Sequence, residues 1–105
     1  MKQKEYFFTN DLDGKNRILC IDQVSASSLN QSIVHPREVF KTALLCSATA
    51  IMLIHNHPSG DPHPSREDRE ITRRLKEAGD LLVIRVMDHI ILGESYMSFV
   101  EMGLM

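Results

Sequence analysis

Residues 50–54, AIMLI, run directly into residues 55–68, HNHPSGDPHPSRED, and the reading of this junction decides the fold. Ala50 to Ile54 is a continuous apolar run of strand length, as expected of a central strand buried on both faces. The next residues change character at once. Pro58, Pro62 and Pro64 each fix φ and stiffen a loop, and Gly60 can take the positive φ that a turn there requires. Ser65, with Asp68 three residues later, has the form of a capping box and opens a helix. Acidic residues in that first turn suit its positive end. The junction is therefore strand, rigid loop and capped helix.

In a strand, residues i and i+2 project to the same side. His55 and His57 thus stand side by side at the carboxyl end of a buried strand, where open α/β sheets place their sites. Asn56 points the other way and is not a ligand candidate. The helix returns Asp68 towards the two imidazoles. Two histidines and one carboxylate, with a fourth position open to water, match a catalytic zinc site. At this level two readings stay open. Asp68 serves equally as the third residue of a plain capping box, and Ser65 as an ordinary N-cap.

Working outward, Glu5 to Thr9 reads as a short aromatic strand and Asn10 to Asn16 as a turn. Arg17 to Val24 reads as a second strand, paired with the first as a hairpin. Ser25 to Gln31 is loop-like, and Ser32 to Val34 reads as a short strand. Pro36 suits the first turn of a helix running to about Ser47, with Val39, Phe40, Ala43 and Leu44 as its inward stripe. After the junction, Ile71, Leu75 and Ala78 form the stripe of the second helix, and Gly79 is placed as its C-terminal cap. Leu81 to Met87 and Ile90 to Leu92 read as strands interrupted by Asp88-His89, and Tyr96 to Phe99 as a final strand. The fold class is α/β: a mixed β-sheet with helices packed on its faces.

A chain of 105 residues makes one domain and can bury a core without staples. The net charge of −2 creates no general attraction for nucleic acid. Cys20 and Cys46 form neither a framework nor a C-x-x-C pair, and Cys46 reads as a small core residue. Isolated thiols point to a reducing cytosol, hence a cytoplasmic protein. The start, MKQKEYFF, is no signal peptide, and no segment approaches the ~20 apolar residues of a membrane span.

The spacing His55-x-His57, seven residues, Ser65, two residues, Asp68 resembles the JAMM/MPN metalloprotease motif without departure. HPREVF, HNHPSGDPHPSREDREITRRL and DHIILG followed by YMSF resemble the bacterial RadC family, from about Glu5 to the C-terminus. The resemblance implies a single RadC-like JAMM/MPN domain over residues 1–105, of the cytidine-deaminase-like α/β arrangement. RadC-type chains usually carry an N-terminal helix-hairpin-helix region, which this chain is expected to lack. The DNA-repair label of the family is thereby placed in doubt for this polypeptide. The resemblance further implies Zn²⁺ held by His55, His57 and Asp68, with a glutamate on an early strand as general base. Glu5 fits that role by strand position and distance. Glu38, on a helix close in sequence to His55, is the second choice. Ser65 would donate to the developing oxyanion, a role that competes with its N-cap role for one hydroxyl. Asp88 and His89 resemble the family's DH pair and are expected to support the site or the core; His35 and His63 stay loop residues.

The implied activity is zinc-dependent hydrolysis of an amide or isopeptide bond in a protein or peptide substrate. Homo-oligomerisation stays open, and no membrane partner is implied. A catalytically inactive MPN-like interaction module is the alternative, since fold does not fix function. An HNH nuclease is disfavoured, because its named residues are dispersed rather than contiguous. A zinc deaminase is disfavoured because no P-C-x-x-C follows.

Overall fold

The computed structural model describes residues 4–25 and 34–105. Strand β1 (Phe7–Leu12) and strand β2 (Ile18–Ser25) form an antiparallel hairpin. Helices α1 (Pro36–Val39) and α2 (Lys41–Leu45) follow. Strand β3 (Ala50–Asn56), helix α3 (Arg66–Leu82), strand β4 (Arg85–Leu92) and strand β5 (Tyr96–Ser98) complete the order. The sheet runs β2-β1-β3-β4-β5 and is mixed: β3 and β4 are parallel, the other pairs antiparallel. Two parallel neighbours need a long crossover, and α3 provides it.

The core lies between one face of the sheet and the helices. Phe7, Ile51, Leu53 and Val86 meet Val39, Phe40, Ala43, Ile71 and Leu75 in one cluster. The opposite face is thinner. Met52 and Ile54 are only half-buried there, and Ile21 keeps 65% of its surface exposed. The central strand is therefore fully buried on one face only, because the described helices gather on that face.

Several boundaries differ from the sequence expectations. β1 begins at Phe7 and runs through Asn10 and Asp11 to Leu12, so the turn tightens to Gly14–Asn16. Pairing with strands on both sides outweighs the turn preference of Asn and Asp. The single helix from Pro36 divides at Phe40, whose backbone (φ −91°, ψ −5°) departs from regular helix geometry while its ring enters the core. Most of the loop expected over Ser25 to Gln31, and Ser32 and Ile33, lie outside the described residues; Val34 is buried but not in a strand.

Gly79 does not cap α3. The helix continues to Leu82 and closes on Val83 in the left-handed conformation (φ 57°, ψ 40°). β4 starts only at Arg85, and it passes unbroken through Asp88 and His89, with a register irregularity between Ile51 and Met52 of β3. What Gly79 supplies is proximity. A Cβ there would stand 2.4 Å from the Ile84 carbonyl oxygen and 3.3 Å from both the Phe40 ring and a Val86 methyl. The close approach lets α3 return directly into β4.

Gly79→Ala is expected to destabilise the fold by about 1–3 kcal/mol through overpacking, although alanine is the better helix former. Chemical denaturation of the variant measures this; a variant as stable as the parent would show that the helix-to-strand return has slack.

Candidate metal centre

His55 and His57 occupy the carboxyl end of β3, and Ser65 and Asp68 open α3 across the intervening loop. The loop is fixed by its own backbone. Gly60 takes φ 91°, its N–H donates to the His57 carbonyl at 2.9 Å, and its carbonyl accepts from the Glu94 N–H at 2.7 Å. The cap is the one expected: the Asp68 N–H donates to Ser65 Oγ (3.1 Å) and the Ser65 N–H to Asp68 Oδ2 (2.7 Å).

This cap brings the carboxylate to both imidazoles. Asp68 Oδ2 is 3.0 Å from His57 Nε2, and Oδ1 is 3.1 Å from His55 Nε2. Asp68 and His55 are buried, at 3% and 1% exposure, and His57 is half-buried. One ligand atom from each of the three lies within 4.8 Å of the others. Burial alone would push the Asp68 carboxyl up. With a proton on the adjoining His55 ring, that ring and the Ser65 N–H outweigh it and hold the group well below the usual carboxylate range.

The tautomers follow from counting protons. The Thr72 hydroxyl donates its single proton to the Asp68 carbonyl (2.8 Å). Towards His89 Nδ1, at 2.5 Å, Thr72 can then only accept, so His89 carries its proton on Nδ1. Burial first, and neighbouring His55 second, push the His89 imidazole down to about 3, so it is neutral and its Nε2 is an acceptor. His55 Nδ1, 2.8 Å away, must donate to it. In the neutral ring the lone pair of His55 is thereby left on Nε2, facing Asp68. His57 is set in the same way: Nδ1 lies 2.8 Å from the Asp61 carbonyl, which only accepts, so Nε2 again holds the lone pair. His55 Nε2 is buried and makes no hydrogen bond, despite its short distance to Asp68.

His89 is therefore the group that orients His55, held by stacking on Phe99 at a centroid distance of 4.6 Å and by the edge of Phe7. Asp88 serves the fold. It accepts from the His89 N–H, the Ser98 hydroxyl and the Val100 N–H, fastening the turn after β5. Thr72 escaped the sequence reading, although its position one helical turn after Asp68 on the inward face was a usable signal.

Glu5 precedes β1 and is half-buried. Phe7 pairs with His55, and continuing that register sets Glu5 opposite His57 and on the same face. Asn56 holds this segment. Its Oδ1 accepts from the Tyr6 N–H (2.6 Å) and its Nδ2 donates to the Lys4 carbonyl (2.9 Å). Pointing away from the histidines excluded Asn56 as a ligand and hid this clamp. Glu38 instead borders a groove with Asp22 and Gln23 beside β2, near Arg37. His63 binds Asp61 in the exposed loop, and His35 caps α1 without a side-chain bond.

A family model described as RadC-like JAB domain matches residues 1–104. A UPF0758 protein of Geotalea uraniireducens (strain Rf4) is 67% identical over 98% of this chain and 46% of its own length. UPF0758 proteins of Trichlorobacter lovleyi and Geobacter sulfurreducens are 66% and 64% identical, over 98% and 99% of this chain and 45% and 46% of theirs. The chain thus spans about half the length of the curated relatives it matches. Among the described residues no helix is long and apolar enough to cross a membrane. With a mixed five-stranded sheet, its helices and this match over nearly all of its length, the chain belongs to the RadC-like JAB domain family.

Proposed function

We propose that this domain is a zinc-dependent hydrolase of amide or isopeptide bonds in a protein or peptide, with His55, His57 and Asp68 holding the ion. One observation carries this reading. With their Nδ1 atoms engaged by His89 and the Asp61 carbonyl, both imidazoles turn Nε2 on one buried carboxylate. Three acceptors so arranged are stable together only around a cation or added protons. The donor set of two imidazole nitrogens and one carboxylate oxygen suits zinc and leaves a fourth position open. Bound zinc would lower the pKa of a coordinated water towards ~7 and polarise the scissile carbonyl.

The remaining steps belong to the chain. Glu5, opposite His57, receives a proton from the attacking water and delivers it to the leaving amine. The Ser65 hydroxyl acts as acceptor in the cap, so its proton remains available to the developing oxyanion. Competition for one hydroxyl is thereby relieved. His89 and Thr72 hold the His55 lone pair towards the site, and the Asp61 carbonyl does the same for His57. The net charge of −2 gives DNA no general hold, so a nucleic-acid substrate is disfavoured.

Dialysis against zinc should leave a tightly held ion at this centre, lost in His55→Ala and in Asp68→Ala; wild-type protein whose zinc content those variants leave unchanged refutes the assignment. His89→Phe keeps the aromatic packing but removes the acceptor for His55, and should weaken zinc binding about 10–100-fold. Competition titration against a chelating dye measures it. Glu5→Gln should retain the metal and lower turnover of a cleavable peptide library by about 10²–10⁴-fold. Full activity in that variant would move the base elsewhere, chelator-insensitive turnover in the wild type would refute the zinc mechanism, and absent turnover would favour an interaction module.

A further inference from the structure

Away from this centre, β1 carries a buried carboxylate that the proposed hydrolysis does not use. Asp11 is fully buried, and both of its oxygens lack a hydrogen-bond partner. Buried charged groups are retained when they are paired or bind a metal. Asp11 pairs directly across the hairpin with Cys20 of β2. Cys46, immediately after α2, comes over the same face. Asp11, Cys20 and Cys46 each offer one ligand atom, all within 4.8 Å of one another. Thr9, two residues earlier on the same face, also has a buried hydroxyl oxygen without a partner. Asp22, two residues beyond Cys20, adds a further carboxylate to the surroundings, held by the Thr42 hydroxyl at 2.9 Å.

We propose that Asp11, Cys20 and Cys46 form a second metal site, for a thiophilic divalent cation of the zinc class. Two sulfurs and one carboxylate oxygen are a zinc-type donor set. Binding releases the two thiol protons to solvent, so the ion is held by two thiolates and a carboxylate. The Cys46 thiol gives up a weak bond to the Ala43 carbonyl, at 3.7 Å, and its contacts with the Cys20 thiol and the Ala48 backbone. A Cys20–Cys46 disulfide would consume the thiols yet leave Asp11 unpartnered, whereas a cation accounts for all three residues. The site is distinct from the His55 centre. Phe7 is the β1 residue beside His55, and Asp11 lies four residues further along, roughly 13 Å at the ~3.3 Å rise of a strand. Its position joins the β1–β2 hairpin to the end of α2, so the ion would pin α2 to the sheet.

Cobalt(II) separates the two centres, because only this one contains sulfur. Reduced wild-type protein titrated with Co²⁺ should develop a thiolate-to-cobalt charge-transfer absorption in the near ultraviolet, saturating at one such ion per chain. Zn²⁺ should displace it. Cys20→Ser and Cys46→Ser should abolish the band, Asp11→Asn should weaken cobalt binding about 10-fold or more, and His55→Ala should leave the band in place. No thiolate band in the reduced wild type at saturating cobalt overturns the proposal, and needs no variant to fold. A band that persists in folded Cys20→Ser or Cys46→Ser overturns it as well. Loss of zinc from the His55 centre alone would leave this result untouched.

Discussion

The Thr72 hydroxyl has one proton, and the Asp68 carbonyl takes it. The buried polar chain from Thr72 to His55 is oriented from that bond. Thr72 must accept from His89, His89 must accept from His55, and the unprotonated nitrogen of His55 is turned towards the start of α3. The sequence of donors runs from β3 through β4 to the helix that connects them. It ties together the two parallel strands and their crossover at one buried point. In such low-dielectric surroundings a polar chain is strong when every member is satisfied and costly when one is not. Here the unsatisfied atom is His55 Nε2, and it lies where a cation would sit.

The helix start contributes on two levels at once. Asp68 closes the cap, donating its N–H to Ser65 Oγ and accepting from the Ser65 N–H, and its carboxylate reaches both imidazoles. A bland capping residue and a ligand candidate prove to be the same atoms in the same rotamer. The stiff loop from Pro58 to Pro64 sets the distance between these elements, and the hydrogen bond from the Glu94 N–H to the Gly60 carbonyl keeps that distance from drifting.

Much of this was legible because the chemistry is local. His55 and His57 share a face through the two-residue period of a strand, and Ser65 with Asp68 declares a cap within four residues. The resemblance to the RadC family rests on the same stretch. The family is borne out by the match over residues 1–104. What could not be read depends on contacts distant in sequence. Gly79 looked like a cap because it ends an apolar stripe, yet its role is set by the Ile84 carbonyl pressing on it. Leu81 and Leu82 looked like strand residues, but both finish α3 and remain exposed. Asp88 and His89 looked like a break in a strand because polar side chains are rare in a sheet interior; each is satisfied there by partners from other elements. Asp11 has the composition of a turn residue, yet burial, with the charge of Asp22 behind it, pushes its carboxyl up to about 6.

Asn56 imitates a peptide group. Its side-chain amide offers one donor and one acceptor to the segment at Lys4–Tyr6, as a neighbouring strand would. Deamidation would change that in a single chemical step. The resulting aspartate could still accept from Tyr6, but it would turn a second oxygen towards the Lys4 carbonyl, replacing a bond with repulsion. The covalent ageing of one amide, outside both proposed ligand sets, would then release the segment that carries Glu5.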